Sequence, residues 1–234
     1  MSHSVSFDKL RAVLFDMDGL IVDTEPIHFA AFREYMRRHS VELPESVMSE
    51  LIGYTEQDNL RELKAKYKIA TPLEEMIAER REVYLELVRM LPIEVFPGFW
   101  EFSVAARERG MKQAVVSSAA AVQVEVVLDR LFNELAGTRP HGASAQAHFD
   151  AIVTGDDIAR NKPAPDIYLE GARRLGVPPA LCLALEDSPP GAQAAAAAGM
   201  LVVAVPNRYT QGLAFPGAQG QVPSLEAAMG YLEW

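Results

Sequence analysis

The chain has 234 residues, and its 22 Lys and Arg against 32 Asp and Glu give a formal charge of −10. With 49% apolar and 23% charged residues, it has the composition of an ordinary soluble globular protein, long enough for one domain with a modest insertion or for two small ones. No stretch is apolar over the length a membrane span needs, and no signal-like segment opens the chain. A single cysteine, Cys182, excludes an internal disulfide framework and a cysteine-built zinc site. It fits a reducing compartment, so the expected location is cytoplasmic. The acidic balance argues against a nucleic-acid binder.

Five short, β-rich apolar runs follow one another along the chain: Ala12–Asp16, Gln113–Ser118, Asp150–Gly155, Leu181–Asp187 and Leu201–Val205. Their near-continuous apolarity suits strands buried on both faces of a parallel sheet. Helical patterns lie between them, over Gly98 to Arg109, Ser118 to Leu131, Pro165 to Leu175 and Ser188 to Ala198. Alternating strands and helices predict an α/β fold with a doubly wound, Rossmann-like parallel sheet.

About eighty residues without a comparable strand separate the first run from Pro97–Gly98, far more than an ordinary connection. Thr24 followed by Pro26 marks a helix start. Phe29, Phe32 and Met36 recur at helical spacing, as do Leu73, Ile77, Tyr84, Leu87 and Leu91. The segment therefore reads as a helical module inserted after the first strand. A second irregular stretch, Asn133 to His148, is rich in Ala, Gly and Ser and reads as a mobile loop. His141 and His148 within it are expected in solvent rather than on a metal, because no third ligand stands at suitable spacing.

Ligands of open α/β sheets sit beyond the carboxyl ends of the strands. The first run closes with Asp16-Met17-Asp18-Gly19, the second with Ser117-Ser118 and the fourth with Glu186-Asp187-Ser188, while Lys162 stands in the loop after the third. These types suit phosphoryl transfer. An Asp carboxylate can attack phosphorus, and a second carboxyl two residues on can protonate the leaving oxygen and later deprotonate water. A hard cation on the remaining carboxylates would offset the repulsion between two anions. A Ser hydroxyl and a Lys ammonium can hold the transferring oxygens. Other polar residues have plainer roles. Ser188 reads as an N-cap with Pro189 behind it and Gly199 ending the helix, Asp166 as a first-turn acid, and Asp156 and Asp157 as loop acids.

The motifs AVLFDMDGLIVDTEPIH, Ser117, Lys162 in NKPAPDIY and LEDSPPGAQAAAAAG, in this order and across nearly the whole chain, resemble the haloacid dehalogenase-like superfamily. The similar branch carries a helical cap and includes β-phosphoglucomutase and many small phosphatases. The resemblance implies an α/β core over residues 1–22 and 93–234 and a helical cap over residues 23–92. It implies Asp16 as nucleophile and Asp18 as general acid and base, with Ser117 and Lys162 binding the transferring group. Magnesium would be held by Asp16, the Asp18 backbone carbonyl and Asp187, with Glu186 assisting directly or through water. Ser118 and the cap residues His28 and Gly53 are the expected substrate contacts.

Asp18 separates this chain from the similar dehalogenases and phosphonoacetaldehyde hydrolases, which lack an acid there. In β-phosphoglucomutase the segment resembling Gly53-Tyr54-Thr55 precedes an arginine that grips a second phosphate. Glu56 takes that place here and is expected to repel one, while Arg61, Lys64 and Lys66 read as solvated-face charges. The expectation is a magnesium-dependent phosphatase of a small phosphorylated metabolite, with a phosphosugar mutase or a non-catalytic binding protein as alternatives. Neither nucleic acid nor membrane is expected as a partner, and the chain is expected as a monomer or weak homo-oligomer.

Overall fold

Each of the five apolar runs contains a strand in the computed structural model, which describes residues 9–44, 46–47, 51, 55–135 and 144–231. In chain order, β1 (Ala12–Asp16) and the short β2 (Val22–Asp23) precede three helices, α1 (Glu25–Arg38), α2 (Glu56–Tyr67) and α3 (Leu73–Met90). The chain continues through β3 (Glu94–Val95), α4 (Phe99–Glu108), β4 (Lys112–Val116), α5 (Ala121–Leu135), the short α6 (Ala145–His148) and β5 (Ala151–Val153). Then come α7 (Asp166–Leu175), β6 (Cys182–Glu186), α8 (Pro189–Ala197), β7 (Leu201–Ala204), β8 (Gly220–Gln221) and α9 (Leu225–Ala228). The residues gather into two compact units, one of Met1–Asp23 with Ile93–Trp234 and one of Thr24–Pro92. Among the described residues no helix is long and apolar enough to cross a membrane.

The first unit is built on a six-stranded sheet in the order β5-β4-β1-β6-β7-β8, with every pair parallel. All residues of β1, β6 and β7 are buried, which is why these strands read as continuous apolar runs rather than alternating ones. Strand order turns back at β1, which lies between β4 and β6. The β2–β3 pair forms a separate antiparallel ribbon at the two points where the chain leaves and rejoins this unit. Ser188 caps α8 by accepting from Gly191 N, with prolines in the first turn. Asp157 closes a capping box with Thr154 and pairs with Arg174 at 2.6 Å, while Asp156 accepts from Ala121 N at 2.9 Å. These two acids therefore fasten a loop rather than merely decorate it.

The second irregular stretch corrects one expectation. His148 is buried, on α6, with Nε2 2.8 Å from Ser103 Oγ and its ring packed against Trp100, Phe132 and Phe149. Ser103 in turn donates to Gln113 Oε1 at 2.6 Å. Burial among aromatics outweighs the polar, small-residue composition of the flanking segment. His141 lies outside the described residues.

In the second unit α1 starts behind Thr24 with Pro26 in its first turn, and it buries Ile27, Ala31, Phe32, Tyr35 and Met36. The period of α3 is as read from the sequence but its phase differs. The buried stripe is Met76, Arg80, Val83, Tyr84 and Val88, so an arginine replaces an apolar residue on the inner face. Arg80 is fully buried, with both terminal nitrogens of its guanidinium partnered and Nε left without a partner. Nη1 donates to Glu56 Oε1 at 2.7 Å, and Nη2 reaches His28 Nδ1 at 2.7 Å and His28 O at 3.1 Å. The guanidinium also lies 4.3 Å from the Phe32 ring centroid. Glu56 is thus no lone carboxylate, since Arg80 and, at 3.6 Å, Arg81 offset its charge. Lys64 is likewise not a solvated-face charge: its Nζ donates to the carbonyls of Ile69 at 2.7 Å, Ala70 at 3.3 Å and Thr71, beyond the C-terminal end of α2. Arg61 pairs with Asp58 at 2.5 Å on the exposed face.

Candidate active site

Parallel register brings the polar strand ends together. Asp16 pairs with Val116 and Phe15 with Leu185, so Asp16, Ser117 and Glu186 leave three adjacent strands at one level. This edge is the switch point of the sheet, where ligands of such folds bind.

Lys162 enters this edge from the loop before α7. Its Nζ donates to Asp16 Oδ1 and to Glu186 Oε1, each at 2.6 Å, and its side chain is only 8% exposed. Tyr168, fully buried on α7, donates its hydroxyl to the same Glu186 oxygen at 2.5 Å. The other oxygen, Oε2, receives the Ser188 hydroxyl at 3.0 Å and the Ser188 N–H at 3.3 Å. The first turn of α8 comes this close because residue 191 is glycine; a Cβ there would overlap the Glu186 carboxylate. Ser117 is buried and donates to Asp18 Oδ2 at 3.1 Å while accepting from Ala119 N at the same distance. Ser118 follows it and is exposed.

Asp187, 6% exposed, accepts from Asn207 Nδ2 at 2.7 Å through Oδ2. The same amide group donates to the Gly19 carbonyl at 3.0 Å. Asp187 Oδ1 is buried with no hydrogen-bond partner, an unfavourable state for a carboxylate oxygen left to itself.

Three buried carboxylates, Asp16, Glu186 and Asp187, offer oxygens all within 4.8 Å of one another, and one ammonium faces them. Burial, then the Glu186 charge, push the Asp16 carboxyl up to about 7 against the pull of Lys162. Burial and the charges of Asp16 and Glu186 likewise raise Asp187 well above the usual carboxylate range. Burial works against the Lys162 charge, but the two carboxylates outweigh it and hold the ammonium above its ordinary value. Fully ionised, the cluster would carry more negative charge than its protein partners offset, which is why its carboxyls hold their protons to higher pH. An all-oxygen donor set with this excess and one unpartnered oxygen fits a hard divalent cation.

Asp16, Lys162, Glu186 and Asp187 thus stand in one hydrogen-bonded or closely spaced group, with Asp18 and Ser117 joined beside them. His28 belongs to the other unit, where its ring stacks on Tyr84 with centroids 4.3 Å apart. Arginine only donates, so His28 Nδ1 must accept and its proton resides on Nε2. Gly53 lies outside the described residues. Two residues of the site have no role in the sequence reading, Tyr168 and Asn207. Asn207 stands just beyond the fifth apolar run, at the carboxyl edge, and that position was its signal; Tyr168 closes the NKPAPDIY motif, and its place there was its signal.

The family model of haloacid dehalogenase-like hydrolases matches residues 10–199. Protein CbbY of Rhodobacter capsulatus is 31% identical over 230 residues, covering 94% of this chain and 96% of its own. Fructose-1-phosphate phosphatase YqaB of Escherichia coli (strain K12) is 31% identical over 203 residues, covering 85% of this chain and 98% of its own. Among solved structures, a CbbY variant from Rhodobacter sphaeroides in complex with xylulose-(1,5)bisphosphate superposes with a TM-score of 0.82. It is 27% identical and covers 96% of this chain and 100% of its own.

Proposed function

The chain belongs to the haloacid dehalogenase-like hydrolases, and from that membership we propose a magnesium-dependent phosphatase acting on a small phosphorylated metabolite, a sugar phosphate or similar monoester. The observation that carries the reading is the Lys162 ammonium bridging Asp16 and Glu186 beside the unpartnered Asp187 oxygen. The relatives support the substrate class, since fructose 1-phosphate and xylulose 1,5-bisphosphate are both phosphorylated sugars.

Asp16 is the nucleophile. One of its oxygens attacks phosphorus as the bond to the leaving oxygen breaks, and Asp18 gives that oxygen a proton. Asp18, now a carboxylate, then takes a proton from water, whose oxygen displaces Asp16 and releases inorganic phosphate. Lys162 holds Asp16 in place and meets an oxygen of the transferring group, and Ser117 turns from Asp18 to another. Magnesium would be held by Asp16, the Asp18 backbone carbonyl and Asp187 with Glu186 assisting, and would offset the repulsion between an anionic nucleophile and an anionic phosphate. Residues 23–92 act as the cap and residues 1–22 and 93–234 as the core. Substrate choice falls to Ser118 at the core and to the cap, including His28 and Gly53.

A phosphosugar mutase is the second reading. Arg80 and Arg81 beside Glu56 remove the lone negative charge that would turn away a second phosphate, and the CbbY complex holds a bisphosphate. A panel of phosphate monoesters with and without magnesium tests the main reading, which requires metal-dependent phosphate release. Glucose 1-phosphate with a trace of its bisphosphate separates the two, because a mutase yields glucose 6-phosphate faster than free phosphate. Absence of turnover on every ester would favour a binding protein.

A further inference from the structure

Asn207 touches neither Asp16 nor Lys162, yet it fixes how Asp187 presents itself. Its Nδ2 donates to Asp187 Oδ2 at 2.7 Å and to the Gly19 carbonyl at 3.0 Å. Its Oδ1 accepts from Tyr209 N at 2.8 Å, and its own N–H donates to Thr210 Oγ1 at 3.1 Å. With both ends of the amide engaged, its orientation is set by the loop, and the nitrogen faces the carboxylate. Gly19 completes the arrangement. It holds φ +85°, and a Cβ there would overlap the Asp187 carboxylate and crowd the Asn207 amide nitrogen. The glycine of the DxDG turn therefore leaves room for this side-chain pair.

The consequence lies at the opposite oxygen. A carboxylate can rotate to offer either oxygen, but an Asp187 held through Oδ2 leaves Oδ1 as the buried, unpartnered atom. We propose that Asn207 is a positioning residue that selects Asp187 Oδ1 as the cation-facing oxygen and holds it there. The inference rests on the reading that Asp187 is a cation ligand. Partners that orient a ligand carboxylate in this way typically change metal affinity when removed. Asn207 acts on the cation through Asp187, and its bond to the Gly19 carbonyl braces the neighbouring turn, so its loss weakens cation binding and leaves the chemical step intact once the cation is bound.

The test titrates the full chain with magnesium chloride by calorimetry and by the shift in thermal midpoint, using the wild type, Asp187→Asn, Asn207→Ala, Asn207→Leu and Arg208→Gln. Leu approximates the size of Asn without its donor, so agreement between the two Asn207 variants separates the lost hydrogen bond from a cavity. Arg208→Gln removes the loop's ion pair to Asp23, 2.5 Å long, and leaves the Asn207 amide in place. The expected result is binding abolished in Asp187→Asn, about 10- to 100-fold weaker in both Asn207 variants, and within about twofold of wild type in Arg208→Gln. Turnover of the Asn207 variants recovers at high magnesium. Wild-type affinity in both Asn207 variants overturns the proposal, as does an equal loss in Arg208→Gln, which would mark a general loosening of the loop. Equal binding by wild type and Asp187→Asn would overturn the ligand reading itself and the proposal with it.

Discussion

Lys162 and Tyr168 converge on a single oxygen of Glu186, the ammonium at 2.6 Å and the phenol at 2.5 Å from Oε1. Glu186 is fully buried, so these donors, with Ser188 on the other oxygen, satisfy both of its oxygens and fix its orientation. The carboxylate then serves as a fixed counter-charge that holds Lys162 against Asp16.

Replacing Tyr168 by Phe keeps the ring and removes one charge-assisted hydrogen bond. The expected loss is about 1.5–3 kcal/mol of stability, the range for hydrogen bonds to charged groups, measured by urea unfolding. Turnover should fall as Lys162 loses its fixed partner. Unchanged stability and turnover would show that the hydroxyl contributes nothing at this site.

The acidic cluster predicts how magnesium and pH act together. The Asp16 carboxyl is raised from 3.8 to about 7 by burial and by Glu186, so without cation the folded state holds a proton that the unfolded state has released. Its contribution to stability is present below the unfolded value and is lost as pH rises through about 7. On the proposed reading magnesium would bind the ionised carboxylates. Its stabilising shift in thermal midpoint should therefore grow as pH rises from about 5 to about 8. A shift independent of pH over that window would argue against cation binding at Asp16.

His28 gives the opposite sign. Burial, and then the Arg80 charge beside it, hold its pKa well below the ordinary 6.5. Its contribution is present above 6.5 and is lost as pH falls below it, because the unfolded state takes up a proton that the folded state resists. Between neutral pH and mildly acidic pH the wild type should lose more stability than a His28→Gln variant measured by the same urea unfolding. Parallel pH profiles of the two would contradict the buried, neutral imidazole.

Strands were the most legible part of the fold, because burial on both faces turns each into an apolar run, and the polar residue closing each run marks the sheet's carboxyl edge. That logic reached Asp16, Ser117, Glu186 and Asp187, and the family resemblance added roles to them. The two-residue strands β2, β3 and β8 have no pattern long enough to read. Arg80 defeated the helical phase of α3, since its burial depends on Glu56 and His28, 24 and 52 residues away. Tyr168 and Asn207 escaped for the same reason: their partners Glu186 and Asp187 become neighbours only when α7 and the loop after β7 pack on the sheet. His148 reads as a loop residue in sequence and becomes a core residue through Ser103 and three aromatic rings.

The most direct test of the phosphatase account is to find the phosphoryl group on the protein. Wild-type chain mixed with a turning-over phosphate ester and magnesium, quenched in acid and digested, should carry one phosphoryl group on the peptide holding Asp16. An Asp16→Asn variant should carry none and release no phosphate. Steady phosphate release by Asp16→Asn, or wild-type turnover with the label on another residue, would contradict the assignment of Asp16 as the nucleophile.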